Sequence, residues 1–237
     1  MRLLELFSGT GSVGRAFRDR GWDVLSLDIA AGRHQIRMDI MDWDYKAYDK
    51  GEFACIHASP PCTQYSIART TAKTPRNLDL ADALVQRTLE IIEYLSPMVF
   101  FIENPYSGLL KTRPIMETMQ PFMRRVTYCF YGMPYRKETV FWTNLGEAWK
   151  PQRCTAKNPC PMRANGRHLA VAQQGSSHRR LERIAGFSRN DLYRIPASLC
   201  DELALATEIK ISAILQATEA ALETRLEREW DQGDPRE

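Results

Sequence analysis

The 237-residue sequence contains no long hydrophobic run, no internal repeat and no low-complexity tract. No apolar segment approaches the roughly 18 residues that predict a membrane span, and the N-terminus lacks a signal-peptide pattern. Six cysteines are too few for the disulfide framework of a small secreted protein. These absences argue against a membrane protein and against a disulfide-stapled domain. We expect a cytoplasmic monomer with one sizeable core and no membrane partner.

Charge is unevenly distributed, although the net charge is only +3. Residues 147–194 carry ten Lys and Arg against three Asp and Glu, whereas residues 198–237 carry four against ten. The basic segment favours a surface that faces a polyanion, and the acidic stretch favours a solvated tail. A solvated basic surface without a ligand is the alternative.

The first 40 residues have the pattern of a nucleoside-cofactor site. An apolar strand at residues 3–7 is followed by a glycine-rich loop at residues 8–14 and then by a helical pattern. Backbone N–H groups of such a loop can approach a ligand closely. A second strand ends in Asp28, at the distance along the chain that suits a carboxylate bridging ribose hydroxyls. Asp39 could reach an adenine amino group, or could simply cap a loop.

Cys62 and Glu103 each follow a short apolar strand. Two prolines end the strand at residues 53–56 and hold Cys62 where open α/β sheets bind ligands. A thiol there can attack carbon, although a cysteine in a proline turn can also be inert. The strand at residues 98–102 runs into Glu103, and burial should raise the pKa of this carboxyl. Such a group suits proton donation, with a salt-bridged structural glutamate as the alternative.

The remaining pattern completes a doubly wound, mostly parallel α/β sheet. A helix is predicted at residues 80–95, a strand at 125–130 and its hairpin partner at 139–142. A long helix follows from Pro196 to about Trp230, with Leu199, Leu203, Ala206 and Ile209 as its apolar stripe. We expect a core at residues 1–144, a small irregular basic insert at 145–179, and a C-terminal helical segment at 180–237 that returns to the core and ends in an acidic tail.

The insert contains three of the residue types that bind zinc. Cys154, Cys160 and His168 have the spacing Cys-x5-Cys-x7-His, and Cys129 is the expected fourth ligand. A short polar segment of this kind cannot order itself through apolar burial and usually needs a staple. The pattern therefore predicts a structural zinc ion. Alternatively, these are unrelated residues of a basic loop, with Cys129 in the core.

Assembled in order, these residues resemble the cytosine-C5 DNA methyltransferases, which use S-adenosylmethionine. Residues 7–11 look like the opening cofactor motif of that family. The stretch at 61–66 looks like its Pro-Cys nucleophile motif, and Glu103-Asn104-Pro105 looks like its Glu-Asn-Val motif. Residues 131–139 align with its Gly-x-Pro-Gln-x-Arg-x-Arg hairpin, and residues 183–187 and 195–196 resemble segments near its last motif. The resemblance covers about residues 1–144 and 180–210 and implies a Rossmann-like methyltransferase fold.

The resemblance also implies roles for individual positions. The expected cofactor-binding residues are Phe7, Ser8, Gly9, Thr10, Gly11, Asp28, Ile29, Asp39, Ile40 and Pro60. The expected catalytic residues are Cys62, Glu103, Asn104 and Lys137. Contacts to double-stranded DNA are expected from Gln64, Ser66, Arg69, Lys73, Arg136, Thr139, Arg179 and Arg180. In this scheme Cys62 attacks C6 of a flipped-out cytosine, Glu103 acts on N3, and the methyl group goes to C5.

The sequence departs from the family pattern in the hairpin and at the end. Tyr135, Lys137 and Thr139 replace its Gln, Arg and Arg, and the terminal Gly-Asn motif is missing. Ser59-Pro60-Pro61 also resembles the Ser-Pro-Pro-Tyr motif of amino-methyltransferases, but a thiol stands in place of the aromatic ring.

An insert of only some 35 residues can read few base edges, which predicts short or relaxed sequence specificity. A bacteriophage or mobile-element enzyme, as in restriction-modification systems, would fit. A methyltransferase of RNA or free nucleotides, and an inactive DNA-binding relative, stay open.

Overall fold

The structure, a computed structural model, describes residues 1–30, 32, 35–67, 69, 72–172 and 187–231. The strands of the main sheet, in chain order, are β1 (Arg2–Leu6), β2 (Asp23–Asp28), β3 (Ile36–Arg37), β4 (Cys55–Ala58), β5 (Val99–Pro105), β6 (Met123–Thr127) and β7 (Glu138–Thr143). Across the sheet they lie in the order β3-β2-β1-β4-β5-β7-β6. The first five are parallel, and β7 runs antiparallel to both β5 and β6. A separate hairpin pairs β8 (Arg163–Ala164) with β9 (Arg167–His168).

Helices cover both faces of this sheet. They are α1 (Ser12–Asp19), α2 (Leu78–Leu95), the short α3 (Arg189–Tyr193) and the long α4 (Ala197–Asp231). One apolar cluster joins α1 and α4 to the sheet, and another joins α2 to the opposite face. The doubly wound α/β fold is therefore confirmed. No described helix has both the length and the hydropathy that crossing a membrane requires.

Side chains of the central strands alternate between the two faces of the sheet. Because helices cover both faces, these strands are buried on both sides. Leu3 of β1 and Phe101 of β5 pack in the cluster with α1 and α4. Their neighbours Leu4 and Ile102 point the other way, into the clusters beside α2. All four have no exposed surface. Near-continuous apolar strands of this kind are typical of parallel sheets covered on both sides.

The order of the strands creates a crevice beside β1. From β1 the chain moves outward to β2 and β3, and then returns to place β4 on the other side of β1. At such a reversal the loops that leave the carboxyl ends of neighbouring strands diverge, and ligands of open α/β sheets bind between them. The glycine-rich loop and Cys62 both lie at this point.

The end of the strand before the hairpin differs from the sequence-based prediction. The strand predicted at residues 125–130 is β6, which ends at Thr127, so Cys129 lies in a 3-10 turn, Tyr128–Tyr131, and not on a strand. The turn ends at Gly132 with φ 87°, a left-handed conformation that glycine adopts without strain. The 3-10 turn takes the chain out of the sheet between β6 and β7.

The predicted stripe of α4 is right for three residues and wrong for Ile209, which is 53% exposed. The buried row continues from Leu203 through Thr207 to Ile211, at intervals of four residues. Ile209 lies two residues from either of the last two and so faces solvent. From residue 212 to 228 the side chains of α4 are exposed or only partly buried.

Candidate active site

A cavity of about 470 Å³ opens at the carboxyl ends of β1, β2, β4 and β5. Its wall includes the loop after β1, the end of β2, the Pro-Pro-Cys loop after β4, and Glu103 on β5. Lys137, just before β7, and Tyr193 of α3 complete the opposite side. The volume lies within the range of pockets that hold small molecules and cofactors, roughly 300–1,000 Å³. The structure thus brings the predicted cofactor loop and the predicted nucleophile to one cavity.

The loop after β1 is held by the carboxylate of Asp28. The N–H of Gly9 donates to Oδ2 at 2.8 Å, and the N–H of Ala30 donates to Oδ1 at 2.8 Å. Within the loop, Phe7 has φ 53°, an uncommon value for a residue with a side chain. Gly9 and Gly11 also have positive φ, where glycine is free of strain. These hydrogen bonds and dihedral angles hold the backbone of the loop next to the carboxylate of Asp28.

Most of the predicted cofactor residues lie at this cavity. Phe7, Ser8, Gly9, Thr10, Asp28, Ile29 and Pro60 line it, and Gly11 lines a smaller adjoining pocket. Ile29 is 64% exposed, so it offers an apolar surface that a flat ring could cover. Asp39 and Ile40 are not among the described lining residues. Asp39 accepts the N–H of Met41 at 3.0 Å, and Ile40 is buried in the core.

Cys62 is positioned by contacts on both sides of its loop. The amide of Asn104 donates from Nδ2 to the carbonyl of Pro60 at 3.0 Å. Tyr65 is fully buried, and its hydroxyl donates to Asp82 of α2 at 2.8 Å. All six cysteines lie in the described part of the chain, and Cys62 is the one that is only partly buried.

Glu103 lies at the floor of the cavity with 7% exposure. The hydroxyl of Tyr128 donates to its Oε1 at 3.1 Å. Burial raises the pKa of Glu103, and the positive charge of Lys137 opposes this rise. The carboxyl therefore holds a proton to higher pH than an exposed glutamate does, which suits a proton donor.

Lys137 acts on both groups. Burial raises the pKa of Cys62, the negative charge of Glu103 raises it further, and the charge of Lys137 lowers it. The ammonium of Lys137 donates to the carbonyl of Leu192 at 2.9 Å, which ties this side of the cavity to α3. Neutralising Glu103 would remove one of the two causes that keep Cys62 as a thiol. Proton gain at Glu103 and thiolate formation at Cys62 are thus electrostatically coupled.

The predicted DNA-facing residues differ in their surroundings. Arg69 donates to Thr74 and Pro75 of its own loop, and Gln64 accepts the N–H of Asn77 at 3.0 Å, so both hold the loop after Cys62 together. Lys73 is exposed, Ser66 is partly buried, and Arg136 is partly exposed beside Glu138. Thr139 is fully buried on β7, so it presents no surface to DNA. Arg179 and Arg180 lie outside the described residues.

Sequence reasoning missed two buried titratable residues at the cavity, Glu5 and His57. They occupy opposed positions on β1 and β4, and both line the cavity. The pKa of Glu5 is raised by burial to about 7, although the N–H of Gly14 donates to Oε1 at 2.9 Å. Burial lowers the pKa of His57 to about 3, and neither ring nitrogen has a described hydrogen-bond partner.

A charged or titratable residue inside an otherwise apolar strand was the available indication for these two. Asn190 and Tyr193 of α3 also line the cavity. No sequence pattern had indicated either residue.

Comparisons with known proteins show what this chain is similar to. The chain matches the family described as C-5 cytosine-specific DNA methylase over residues 1–131. Over 223 residues it is 34% identical to a protein of Frog virus 3 (isolate Goorha) named "Probable DNA (cytosine-5)-methyltransferase", which covers 86% of this chain and 98% of the viral protein. A solved structure from E. coli, named "putative DNA modification methyltransferase encoded within prophage Cp-", is 18% identical with a TM-score of 0.47. That similarity covers 65% of this chain and about half, 52%, of the other.

The fold is a doubly wound α/β sheet with a cavity at a reversal of strand order, the position where open sheets of this kind bind ligands. The family match spans 131 residues, more than half of the chain, and the viral relative is matched over nearly its whole length. The chain belongs to the C-5 cytosine-specific DNA methylase family, whose members are methyltransferases that act on DNA.

Proposed function

We propose that this protein transfers a methyl group from S-adenosylmethionine to C5 of a cytosine flipped out of double-stranded DNA. One observation carries the proposal. A single cavity joins the loop held by Asp28 to Cys62 and Glu103. A donor bound on the loop and a base entering from the Cys62 side would therefore meet inside one cavity. Placing the two reactants together in this way is itself a large part of catalysis.

The residues present fit S-adenosylmethionine. The backbone of residues 8–10 can approach the ligand because Gly9 has no side chain, and Ile29 offers an apolar surface for the adenine. Asp28 is the acid expected to accept ribose hydroxyls, and its present hydrogen bonds to Gly9 and Ala30 already fix its orientation. When bound, the donor supplies an electrophilic methyl group. Asp39, the predicted adenine contact, stays a prediction.

The chemistry at the cytosine ring needs both Cys62 and Glu103. C5 of cytosine is too weak a nucleophile to accept a methyl group unaided. The thiolate of Cys62 forms a bond to C6 while Glu103 delivers a proton to N3, and the ring becomes an enamine that is nucleophilic at C5. After methylation, loss of the C5 proton to a base allows the bond between Cys62 and C6 to break. Lys137 favours the ionised form of Cys62 at the start.

A cytosine within a duplex cannot present C6 to a thiol, so it must leave the base stack at a cost of a few kcal/mol. The basic loop after Cys62, in which Lys73 is exposed, would contact phosphates around the extruded base. The short insert supports short or relaxed sequence specificity. Action in the cytoplasm of a bacterial or phage-infected cell, as a monomer, stays a prediction.

Nucleoside mass spectrometry tests the proposal. The purified protein is incubated with S-adenosylmethionine and duplex DNA of mixed sequence, and with single-stranded DNA and RNA in parallel. The expected product is 5-methyldeoxycytidine in the duplex reaction. Cys62→Ala should abolish the product while S-adenosylmethionine still binds by calorimetry, and Cys62→Ser should also fail because an alkoxide is scarce at neutral pH.

Three results would contradict this function. Methylation of an exocyclic amino group would indicate amino-methyltransferase chemistry. A product confined to RNA would move the substrate class. Turnover of Cys62→Ala at about a tenth of the wild-type rate or more would remove the covalent role of the thiol.

A further inference from the structure

We propose that Cys129, Cys154, Cys160 and His168 bind one structural zinc ion. Each residue offers one ligand atom, and the four atoms all lie within 4.8 Å of one another. The three cysteines are buried free thiols, and the histidine is partly buried. This cluster is separate from the cavity described above, and the proposal does not depend on the methyl-transfer function.

The distances suit tetrahedral coordination. With zinc–sulfur bonds of about 2.3 Å and zinc–nitrogen bonds of about 2.0–2.1 Å, neighbouring ligand atoms lie about 3.6–3.8 Å apart. Sγ of Cys154 is 3.4 Å from Nε2 of His168. The whole set needs to contract by about 1 Å at most to enclose an ion at its centre. Three thiolates and one imidazole form a common structural zinc set that leaves no open position.

Ordinary local structure brings the four residues together. Cys129 lies in the turn that follows β6, and the N–H of Cys154 donates to Thr127 at the end of the same strand at 2.7 Å. The hairpin of β8 and β9 turns at Asn165 and Gly166, both with positive φ. This Asn-Gly turn folds the chain back, so His168 lies near Cys160. The turn and the hairpin thereby bring the four ligands close together, although their sequence spacing departs from the usual zinc pattern.

The alternative, a small apolar cluster of thiols, does not account for the order of this segment. Between residues 150 and 172, all of which the structure describes, the buried side chains are Cys154, Cys160 and Ala170. Phe130 and Met162 pack on the thiols but are only partly buried. Burial of so few carbon atoms is far from the apolar area that orders a segment of about 20 residues. A metal ion would supply the missing free energy.

The charge around the cluster also favours a bound cation–thiolate centre. Zinc with three thiolates carries a net charge of −1, and the guanidinium groups of Arg163 and Arg136 both act electrostatically on His168. Arg163 donates to the carbonyl of Gly166 at 2.8 Å, which keeps it over the hairpin. The surrounding positive charge would offset the charge of the metal centre.

The proposed ion would fix the insert against the wall of the cavity. The N–H of Ala170 donates to the carbonyl of Pro134 at 2.9 Å, and Arg153 forms an ion pair with Glu138 at 3.0 Å. Pro134 and Glu138 flank Lys137, which lines the cavity. A metal ion at the four ligands would therefore order the basic insert next to this cavity.

Metal analysis tests this inference. The untagged protein is purified without chelators, and its metal content is measured by mass spectrometry. The expected content is about one equivalent of zinc. Cys160→Ser and His168→Ala should each reduce it at least about tenfold, since a site that loses one ligand binds far more weakly. Cys62→Ala is the matched control, because it removes a partly buried cysteine outside the cluster and should keep all of the zinc.

Cobalt(II) exchange into the wild-type protein gives a second measurement that does not depend on the folding of variants. Tetrahedral cobalt with thiolate ligands should show thiolate-to-metal charge-transfer absorption and visible ligand-field bands. Less than about half an equivalent of zinc in the wild-type protein purified without chelators would overturn the proposal. About one equivalent of iron in place of zinc would also overturn it. So would a disulfide among Cys129, Cys154 and Cys160, or undiminished zinc in Cys160→Ser.

Discussion

Glu5→Gln should change how the stability of the fold depends on pH. Burial raises the pKa of Glu5 from 4.5 to about 7, opposed by the N–H of Gly14 and the charge of Arg18 and assisted by the charge of Asp28. Because the folded state binds this proton more tightly than the unfolded state, the stabilisation is complete below pH 4.5. It is lost as the pH rises towards about 7. At higher pH the folded protein holds a buried carboxylate.

The size of the effect follows from the shift. A change from 4.5 to about 7 corresponds to about 3 kcal/mol of unfolding free energy at about 1.4 kcal/mol for each pKa unit. Glutamine keeps an oxygen that accepts the N–H of Gly14 but cannot ionise. The variant should therefore match the wild type within about 1 kcal/mol at pH 5 and exceed it by about 3 kcal/mol at pH 8.

Urea unfolding at several pH values between 5 and 8 measures this difference directly. The contributions of Glu103 and His57 are present in both proteins and cancel in the comparison. Glu147→Gln is the matched control, because its side chain is 92% exposed and its ion pair with Lys150 is a surface pair. Parallel curves for wild type and Glu5→Gln across this range would refute the reasoning.

Two further predictions concern the proposed reaction. Glu103→Gln can still donate a hydrogen bond to N3 but cannot transfer a proton, so methyl transfer should slow by about 10²–10⁴-fold while fluorescence of a 2-aminopurine probe still reports base flipping; an unchanged rate would rule out proton transfer by Glu103. Asp28→Ala should weaken S-adenosylmethionine binding by about 1–3 kcal/mol in calorimetry, because a charge-assisted contact is lost and the loop at Gly9 is released; Asp39→Ala, outside the cavity lining, should cost less, and an unchanged dissociation constant for Asp28→Ala would place the site elsewhere.

The residues that meet at the cavity could be predicted from the sequence because they lie at or just beyond the carboxyl ends of buried parallel strands. Carboxyl ends of parallel strands share one edge of the sheet, so Phe7, Asp28, Cys62 and Glu103 had to come close together once the strands were recognised. The apolar runs that end before Cys62 and Glu103 are strong patterns. Their meeting needed no knowledge of side-chain packing.

Some residues were missed, and others were predicted to lie in different surroundings. Both outcomes depend on side-chain packing, which a sequence pattern does not contain. Glu5 lies inside an apolar strand, and its carboxyl fits only because Gly14 has no side chain: a Cβ there would lie 2.3 Å from Oε2. The exposure of Ile209 follows from the rotation of α4 about its axis, which the core sets. Thr139 replaced a charged residue of the family motif, and its full burial on β7 depends on the strands beside it.

The position of α4 has a consequence for how the protein is made. Leu3, Phe17 and Val24 share one apolar cluster with Leu199 and Leu203, and Trp22 donates to Glu208 at 3.0 Å. Strand β1 is thus covered by a helix that begins only at residue 197. A chain that has reached residue 144 must wait roughly 3–13 s for residue 211 at ordinary elongation rates of about 5–20 residues per second. During that interval the apolar residues that α4 covers stay exposed beside α1, and a chain truncated before α4 would keep them exposed.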